Sequence, residues 1–234
     1  MSLPLFFAEN MDVNAPRVTL DEGNSKHIIQ VLRMKQGDAL RLTDGKGNIF
    51  AGNIFDEQKK ACVVNIKEHS FQASSPRKST IAVSLVKNAA RFEWFLEKAV
   101  EAGVYNIVPL LCERTEKAHF RYERMQQIMI SAMLQSRQAW LPVLSEPVKY
   151  KDWLPAHINT IKCIAYCNNE EKYHFRQITD GNDDITICIG PEGDFTEQEI
   201  ALALQHNFKP VSLGNTRLRT ETAGIAAAVL LAIK

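Results

Sequence analysis

The last two thirds of the chain alternate short apolar segments with segments of helical periodicity. The apolar segments lack a polar residue at every second position, which is typical of strands covered on both faces. The amphipathic segments place apolar residues three and four apart, as a helix with one buried face requires. This order predicts a parallel α/β sheet with helices on both sides. The predicted strands are 80–86, 106–111, 160–165, 185–189 and 209–213, and the predicted helices are 91–102, 122–139, 221–233 and one that begins at Thr196.

The first 73 residues follow a different pattern, with short strands and one helix. An alternating strand reaches the turn signal Asp44-Gly45-Lys46-Gly47, and further strands follow it. Small, polar and proline residues over 72–79 are typical of a linker. We therefore predict two domains, a small β-barrel over 1–73 and an α/β domain over 74–234. The predicted strands of the first domain are 39–43, 48–55 and 61–66, and its predicted helix is 25–34.

The charge of the chain restricts where an anionic partner could bind. The 234 residues carry a formal net charge of +1, which argues against a protein that binds nucleic acid over its whole surface. Residues 74–150, however, contain eleven Lys and Arg against seven Asp and Glu, a net +4. A phosphate-binding surface is therefore expected in this middle segment. The longest apolar run, 223–233, has about half the length of a bilayer span, so we expect no membrane association.

Several classes of site are disfavoured by missing patterns. Five dispersed cysteines argue against a disulfide framework. The closest pair, Cys163 and Cys167, has no neighbouring His or Cys that would complete a zinc site. The sequence also lacks the glycine fingerprints of dinucleotide and ATP sites, H-E-x-x-H and G-x-S-x-G. We therefore expect reduced thiols, a cytoplasmic protein and no bound metal.

Two loops combine unusual residues with a position between a strand and a helix. The first, Ile-Gly-Pro-Glu-Gly-Asp-Phe over 189–195, precedes the capping box Thr196-Glu-Gln-Glu199. Loops at the C-terminal ends of parallel strands face the usual ligand crevice. Gly190 and Gly193 allow the backbone to approach a ligand closely. An ordinary strand-to-helix turn is the alternative explanation.

The second loop, 213–220, brings Arg217 and Arg219 to the N-terminus of a helix. The helix dipole disfavours cations at this end, so two arginines there indicate an anionic partner or a catalytic role. Glu221 lies in the first turn, where the dipole favours a carboxylate, and could pair with one of them. A solvated loop without function is the alternative. The following helix is apolar almost all round, which is typical of a helix buried in the chain or against a second subunit.

In combination, these stretches resemble the ribosomal small-subunit methyltransferase E family, within the SPOUT class of S-adenosylmethionine-dependent RNA methyltransferases. The resemblance covers nearly the whole chain and is most specific at Ile189-Gly-Pro-Glu-Gly193 and over 213–223. The chain departs from the family pattern at Leu134, where Glu is usual, and at Asp194, where a second Gly is usual. The other matching residues are His27, Val31–Arg33, Gly37-Asp38, Lys87, Arg91, Glu93, Lys98, Glu101, Gly103, Glu113–Thr115, Gln135-Ser136 and Pro142.

The resemblance implies a fold and a reaction. The expected fold is an N-terminal PUA-like β-barrel that binds RNA, followed by a SPOUT α/β domain with a deep trefoil knot. The expected cofactor is S-adenosyl-L-methionine, and the expected reaction is methylation of N3 of one uridine in the decoding region of 16S rRNA. The expected partners are a second copy of the chain and small-subunit rRNA, either free or in the assembled subunit.

The resemblance also assigns roles to individual residues. Arg219 is expected to stabilise the uridine anion that forms when N3 loses its proton. An arginine keeps its own proton and cannot readily act as the base, so the base is left unassigned, with solvent and Glu221 as candidates. The expected cofactor-binding residues are Gly190, Glu192, Gly193, Leu213, Gly214, Leu218 and Thr220. The expected RNA-binding residues are Arg33, Lys87, Arg91, Arg114, Gln135, Ser136 and Arg137.

The sequence leaves two other functions open. A related SPOUT enzyme could methylate a ribose 2′-hydroxyl or a different base, and analysis of the modified rRNA would distinguish it. A non-enzymatic RNA-binding protein with a vestigial pocket should bind no S-adenosylmethionine. An NAD-dependent oxidoreductase is disfavoured because its glycine fingerprint is absent.

Overall fold

The computed structural model describes residues 3–116, 119–156, 161–167, 172–179 and 183–233. The chain packs as two compact units. The first contains Met1–Ser74 and Met133–Leu141, and the second contains Ser75–Ala132 and Pro142–Lys234. Each unit has its own sheet and its own hydrophobic core.

Over residues 3–74, the first unit contains five strands and one short helix. They are β1 (Leu5–Phe7), β2 (Arg17–Thr19), α1 (Glu22–Lys26, continued by a π-helical turn over His27–Val31), β3 (Ala39–Thr43), β4 (Asn48–Asp56) and β5 (Val63–Phe71). The strands form one sheet in the order β1-β3-β4-β5-β2. Alternate side chains, such as Leu40, Leu42 and Phe50, are buried in its core. The predicted strands are confirmed as β3, β4 and β5. The three-residue strands β1 and β2 carry too little periodicity to be predicted.

The segment Met133–Leu141 packs with the first unit, although the predicted boundary placed it in the second domain. Leu141 N donates a hydrogen bond to Gly45 O at 2.8 Å, and the indole Nε1 of Trp140 donates to Gln72 O at 2.8 Å. These bonds join residues about 70 to 100 positions apart, which local sequence patterns cannot reveal. The domain boundary between residues 73 and 74 therefore remains a prediction. The segment Met133–Leu141 is an exception to it, because this segment packs with the first unit.

The second unit contains a larger sheet and the remaining helices. The strands are β6 (Ser79–Ser84), β7 (Asn106–Leu111), β8 (Val143–Leu144), β9 (Val148–Lys149), β10 (Ile161–Ala165), β11 (Tyr173–His174), β12 (Ile185–Ile189) and β13 (Lys209–Ser212). The helices are α2 (Ala89–Glu101), α3 (Tyr122–Gln135), α4 (Tyr150–Trp153), α5 (Phe175–Ile178), α6 (Glu197–Gln205) and α7 (Thr220–Ala232), and a 3₁₀ turn over Leu154–Ala156 follows α4. The last three residues of α3 belong to the first unit. Helix α3 ends before its predicted limit at 139, because Arg137 adopts a left-handed conformation with φ 58°.

The sheet of the second unit has the order β11-β13-β10-β12-β6-β7-β8, with β9 also beside β7. Every described pairing in it is parallel. All five residues of β12 are buried, as expected for a strand covered on both faces. The predicted parallel α/β architecture is thus confirmed. The trefoil knot remains a prediction, since strand order alone does not trace how loops pass one another.

The parallel arrangement positions the loops that matter for function. Strands β13, β10, β12 and β6 are consecutive in the sheet, so the loops that follow them emerge at one edge. Thr196 caps α6 with the predicted capping box, in which Thr196 and Glu199 bond reciprocally. Helices α6 and α7 both begin directly after loops at this edge.

Helix α7 is only partly covered by the chain itself. Gly224 lies so close to the ring of Phe95 on α2 that an added Cβ would be 2.5 Å from it. Ala227 is 0% exposed within this one chain, so it is not available to a second subunit. Val229 on the same helix and Ile233, directly after its end, are 43% and 56% exposed. Within the described residues, none of the helices is long and apolar enough to span a bilayer.

Candidate active site

A cleft of about 600 Å³ opens at the C-terminal edge of β10, β12 and β13 in the second unit. It is bounded by the loop after β10, the loop after β12 and the loop between β13 and α7. Its walls combine main-chain groups with apolar, acidic and basic side chains. The lining residues are 165–167, 172, 189–192, 194, 211–220 and 223. Of the predicted cofactor residues, only Gly193 lies outside this lining.

The loop after β12, residues 190–194, is tied to four other segments of the second unit. The ties come from the start of α7 and from the residues that follow β6, β7 and β10. The hydrogen bonds are Thr220 Oγ1 to Gly190 O at 2.9 Å, Lys87 N to Glu192 Oε1 at 3.3 Å, Arg114 Nη1 to Gly193 O at 2.7 Å and Cys167 N to Asp194 Oδ2 at 2.7 Å. This loop is therefore fixed before any ligand binds.

Gly190 and Asp194 show why these residue types occupy the loop. A Cβ added to Gly190 would lie 3.0 Å from the ring of Phe195, so a larger residue would force the loop and the ring apart. Asp194 adopts φ 63°, a conformation that Asp tolerates better than most residues. Its Oδ1 accepts a hydrogen bond from Phe195 N at 2.8 Å, so the carboxylate satisfies main-chain donors on both sides of the loop.

The loop between β13 and α7 carries the two arginines. Gly214 adopts φ 147°, which glycine accommodates readily, and a Cβ added there would meet no atom within 4 Å. Arg217 and Arg219 are exposed and line the cleft. Arg219 is the N-cap residue of α7 and makes no side-chain capping bond. The structure thus places a guanidinium between the cleft and the positive end of a helix.

Glu221 lies on the α2 side of α7 and is not among the residues that line the cleft. Its side chain is almost fully buried, and Oε1 is 3.7 Å from Nε of Arg91. Within the described residues, Oε2 has no hydrogen-bond partner. The geometry therefore pairs Glu221 with Arg91 and not with either arginine of its own loop, and its predicted role as the base stays a prediction.

The predicted RNA-binding residues fall into both units. Lys87, Arg91 and Arg114 belong to the second unit, where Lys87 Nζ pairs with Glu116 at 2.8 Å. The hydrogen bond from Lys87 to that carboxylate raises the pKa of the lysine above its ordinary value. Arg33 and the segment 135–137 belong to the first unit. Arg33 and Arg137 are exposed and both adopt left-handed conformations, φ 54° and 58°.

The loop after β10 is a part of the cleft that the sequence did not indicate. It contributes Tyr166, Cys167 and Lys172, and Nζ of Lys172 lies 4.4 Å from the centroid of the Tyr166 ring. No local motif marks these residues. The apolar run at 160–165 was, however, a signal that its following loop would share an edge with the others. Burial raises the pKa of the Cys112 thiol, beside the Arg114 loop, to about 12.

Comparison with known proteins identifies the family. Residues 73–232 match the family model described as RNA methyltransferase domain, and residues 20–67 match the one described as RNA methyltransferase PUA domain. The ribosomal RNA small subunit methyltransferase E of Rickettsia conorii is 31% identical over 217 residues, covering 90% of this chain and 87% of the relative. The chain belongs to the ribosomal RNA small subunit methyltransferase E family. The family and the N-terminal PUA domain predicted from the sequence are thereby confirmed.

Solved structures support the same family membership. A probable rRNA-methyltransferase from Porphyromonas gingivalis is 38% identical, with a TM-score of 0.90 over 97% of this chain and 95% of that chain. A ribosomal RNA small subunit methyltransferase E from Neisseria gonorrhoeae is 31% identical, with a TM-score of 0.85 and the same two coverages. The latter was crystallised with S-adenosyl methionine bound. Within the described residues of this chain, no group of three or more His, Cys, Asp or Glu is arranged to hold a metal ion.

Proposed function

We propose that this protein is a cytoplasmic S-adenosylmethionine-dependent methyltransferase that modifies N3 of a uridine in the decoding region of 16S rRNA. The observation that carries the proposal is the cleft itself. Two of the three loops that bound it are the ones most specific to the family, at the edge of a parallel sheet where ligands usually bind. The family relative with S-adenosyl methionine bound supports the choice of cofactor.

The cleft suits S-adenosylmethionine in size and in chemistry. Its volume of about 600 Å³ lies within the range of small-molecule sites. Apolar side chains such as Ile189, Val211 and Leu213 suit an adenine ring, and the carboxylates of Glu192 and Asp194 suit cationic groups. The cofactor, when bound, supplies an electrophilic methyl group on a sulfonium. The predicted residues Gly190, Glu192, Leu213, Gly214, Leu218 and Thr220 would hold it, and Gly193 would act through its place in the loop.

Arg219 is proposed to stabilise the uridine once N3 is deprotonated. The negative charge then spreads over the two carbonyl oxygens of the base, and a guanidinium can donate hydrogen bonds to such oxygens. Arg219 lines the cleft and is exposed, so a base that enters the cleft can reach it. The start of α7 adds positive potential at the same place.

We propose solvent or Glu221 as the base that removes the N3 proton. Oε1 of Glu221 lies 3.7 Å from Nε of Arg91, on the α2 side of the helix. Solvent fits the structure better as the base, because Glu221 is not among the lining residues. Arg91 is then engaged with Glu221 before RNA arrives, in addition to its proposed RNA contact.

The RNA substrate is proposed to contact Lys87, Arg91 and Arg114 on the second unit. On the first unit it would contact Arg33, Gln135, Ser136 and Arg137. Left-handed conformations of residues other than glycine tend to occur at functional sites, which supports Arg33 and Arg137 in particular. The substrate is either free rRNA or the assembled small subunit.

A homodimer is proposed through the uncovered face of α7. Exposed apolar side chains there include Val229 on α7 and Ile233 directly after the end of the helix. Val229→Arg should give a monomer, because a charge buried without a partner in an interface is strongly unfavourable. Light scattering should show the monomer while the thermal unfolding temperature of the chain changes little. A stable monomer for the unmodified protein would contradict the dimer.

Nucleoside analysis tests the proposed reaction. Small-subunit rRNA from cells that lack the protein should contain a uridine that the purified protein and S-adenosylmethionine convert to N3-methyluridine. A 2′-O-methyl product, or methylation of another base, would instead indicate a related SPOUT activity. Absence of both cofactor binding and product would indicate a non-enzymatic RNA-binding protein.

A further inference from the structure

Two residues proposed to contact RNA are bonded to the loop 190–194, but through different atoms. Arg114 uses its side chain, since Nη1 donates to Gly193 O at 2.7 Å. Lys87 uses its main chain, since its N–H donates to Glu192 Oε1 at 3.3 Å while its Nζ pairs with Glu116. Truncating Arg114 therefore removes a tie to the loop, whereas truncating Lys87 leaves its tie in place.

The main chain on both sides of Arg114 is anchored, so its side chain bridges two fixed points. Before Arg114, Glu113 N donates to Glu199 Oε1 at 2.8 Å, and after it, Thr115 N donates to Cys112 O at 3.1 Å. The aliphatic part of Arg114 also packs on the loop, because a Cβ added to Gly193 would lie 3.3 Å from Arg114 Cδ. A charge-assisted hydrogen bond between two anchored segments restrains the loop strongly.

We propose that Arg114 is a positioning residue of the cofactor cleft, which holds the loop 190–194 through the Gly193 carbonyl and couples RNA binding to cofactor binding. The identities of the two ligands rest on the proposed function. A guanidinium has five N–H donors. Within the described residues, only Nη1 of Arg114 donates to a protein acceptor, and the side chain is exposed.

The remaining donors of Arg114 can bind an RNA phosphate while Nη1 still holds Gly193. A phosphate on the guanidinium restricts its motion and so stabilises the loop in the arrangement that forms the cleft. RNA then strengthens cofactor binding, and the cofactor strengthens RNA binding by the same factor, because coupling between two sites is reciprocal.

Calorimetry of S-adenosylmethionine binding to the full-length, RNA-free protein tests the positioning role. Arg114→Ala should weaken binding about fivefold to tenfold, the range expected for loss of a charge-assisted hydrogen bond at a partly exposed site. Lys87→Ala is the matched control, since it also removes one positive charge but keeps the main-chain bond to Glu192. Its cofactor affinity should stay within about twofold of the unmodified protein.

The same titrations with a saturating RNA oligonucleotide that contains the decoding-region uridine test the coupling. RNA should tighten cofactor binding to the unmodified protein several-fold and should have little effect on Arg114→Ala. Arg114→Lys, which keeps the charge but lacks the planar fork, should recover only part of both effects. It also replaces the alanine variant if thermal unfolding shows that the latter does not fold.

Three results are distinguishable. If the unmodified protein binds S-adenosylmethionine and Arg114→Ala, or the lysine variant in its place, binds it equally well, the positioning role is wrong. Equal losses in Arg114→Ala and Lys87→Ala would also overturn it, because they would reflect charge alone. If the unmodified protein binds no S-adenosylmethionine, the proposed function itself fails, and the inference fails with it.

Discussion

Two of the three loops that line the cleft are held in contrasting ways. The loop 190–194 receives hydrogen bonds from four other segments, and its first two residues are buried. The loop 213–219 makes only local bonds within the described residues, such as Ser212 Oγ to Gly214 O at 2.9 Å. Residues 214–217 and Arg219 are exposed.

This difference indicates that the two loops contribute to function in different ways. A wall that is already ordered loses little conformational entropy when a ligand binds, which favours affinity. A loop with few tertiary bonds can rearrange around a substrate at low cost. We therefore expect changes in the loop 190–194 to alter cofactor binding and stability, and changes at Arg219 to alter turnover.

The largest expected effect is that of Arg219→Ala on the methylation rate. Removal of a group that stabilises a developing anion commonly lowers the rate by about 10²–10³, and the effect falls on turnover because the interaction strengthens in the transition state. Single-turnover rates at saturating RNA and cofactor should fall at least about 100-fold, with binding of both ligands nearly normal. Arg219→Lys should recover only part of the loss.

A rate for Arg219→Ala close to that of the unmodified enzyme would eliminate the catalytic assignment. A normal rate with weakened RNA binding would make Arg219 a phosphate contact. Arg217→Ala is the matched control, since Arg217 is exposed on the same loop and also lines the cleft. If both arginines lower the rate equally, the specific role of Arg219 is not supported.

Gly214→Val should weaken S-adenosylmethionine binding by at least about tenfold, because φ 147° is a conformation that a β-branched residue cannot adopt without strain. The family resemblance places this glycine among the expected cofactor-binding residues. The structure adds a conformational reason, since no protein atom lies within 4 Å of an added Cβ. Calorimetry measures the affinity, and thermal unfolding checks that the fold is retained. Unchanged affinity in a folded variant would remove Gly214 from the cofactor site.

Thr220→Val should lower the free energy of unfolding by about 1–3 kcal/mol, because it leaves the buried carbonyl of Gly190 without its donor. Thr220→Ser keeps the hydroxyl and should be affected much less. Thr222→Val on the same helix is a control, since Thr222 is only half-buried. Urea unfolding monitored by circular dichroism measures the difference. Equal losses of unfolding free energy for the two valine variants would show that the hydrogen bond from Thr220 to Gly190 makes no particular contribution to stability.

The smallest expected effect is a difference in amide hydrogen exchange. Amides at 214–217 should exchange faster than those at 192–194, because fewer tertiary bonds hold the former. Addition of S-adenosylmethionine should slow exchange in both loops, with the larger change in 214–217. Mass spectrometry of peptic peptides gives these rates. Equal exchange in the unliganded protein would remove the contrast between the two loops.

The sequence correctly predicted those elements in which the local spacing of residues indicates which side chains are buried. The apolar run Ile185–Ile189 became a strand with all five residues buried, and Thr196 became the N-cap of α6 through the predicted capping box. The family loops were also placed correctly at one edge, because parallel strands bring their C-terminal ends together. Periodicity and capping depend on neighbours within a few residues, which a sequence displays directly.

The partners of the polar residues were decided only by the tertiary structure. From the sequence, Glu221 could pair with an arginine of its own loop, but in the structure it pairs with Arg91, 130 positions earlier. Arg114 was predicted to face RNA, and the fold also gives it the carbonyl of Gly193. Likewise, the segment 133–141 packs with the first unit, and Cys167 N donates to Asp194 Oδ2. Apolar periodicity records that a residue is buried, but hydrogen bonds and ion pairs depend on atoms brought within about 3–4 Å by the folded chain.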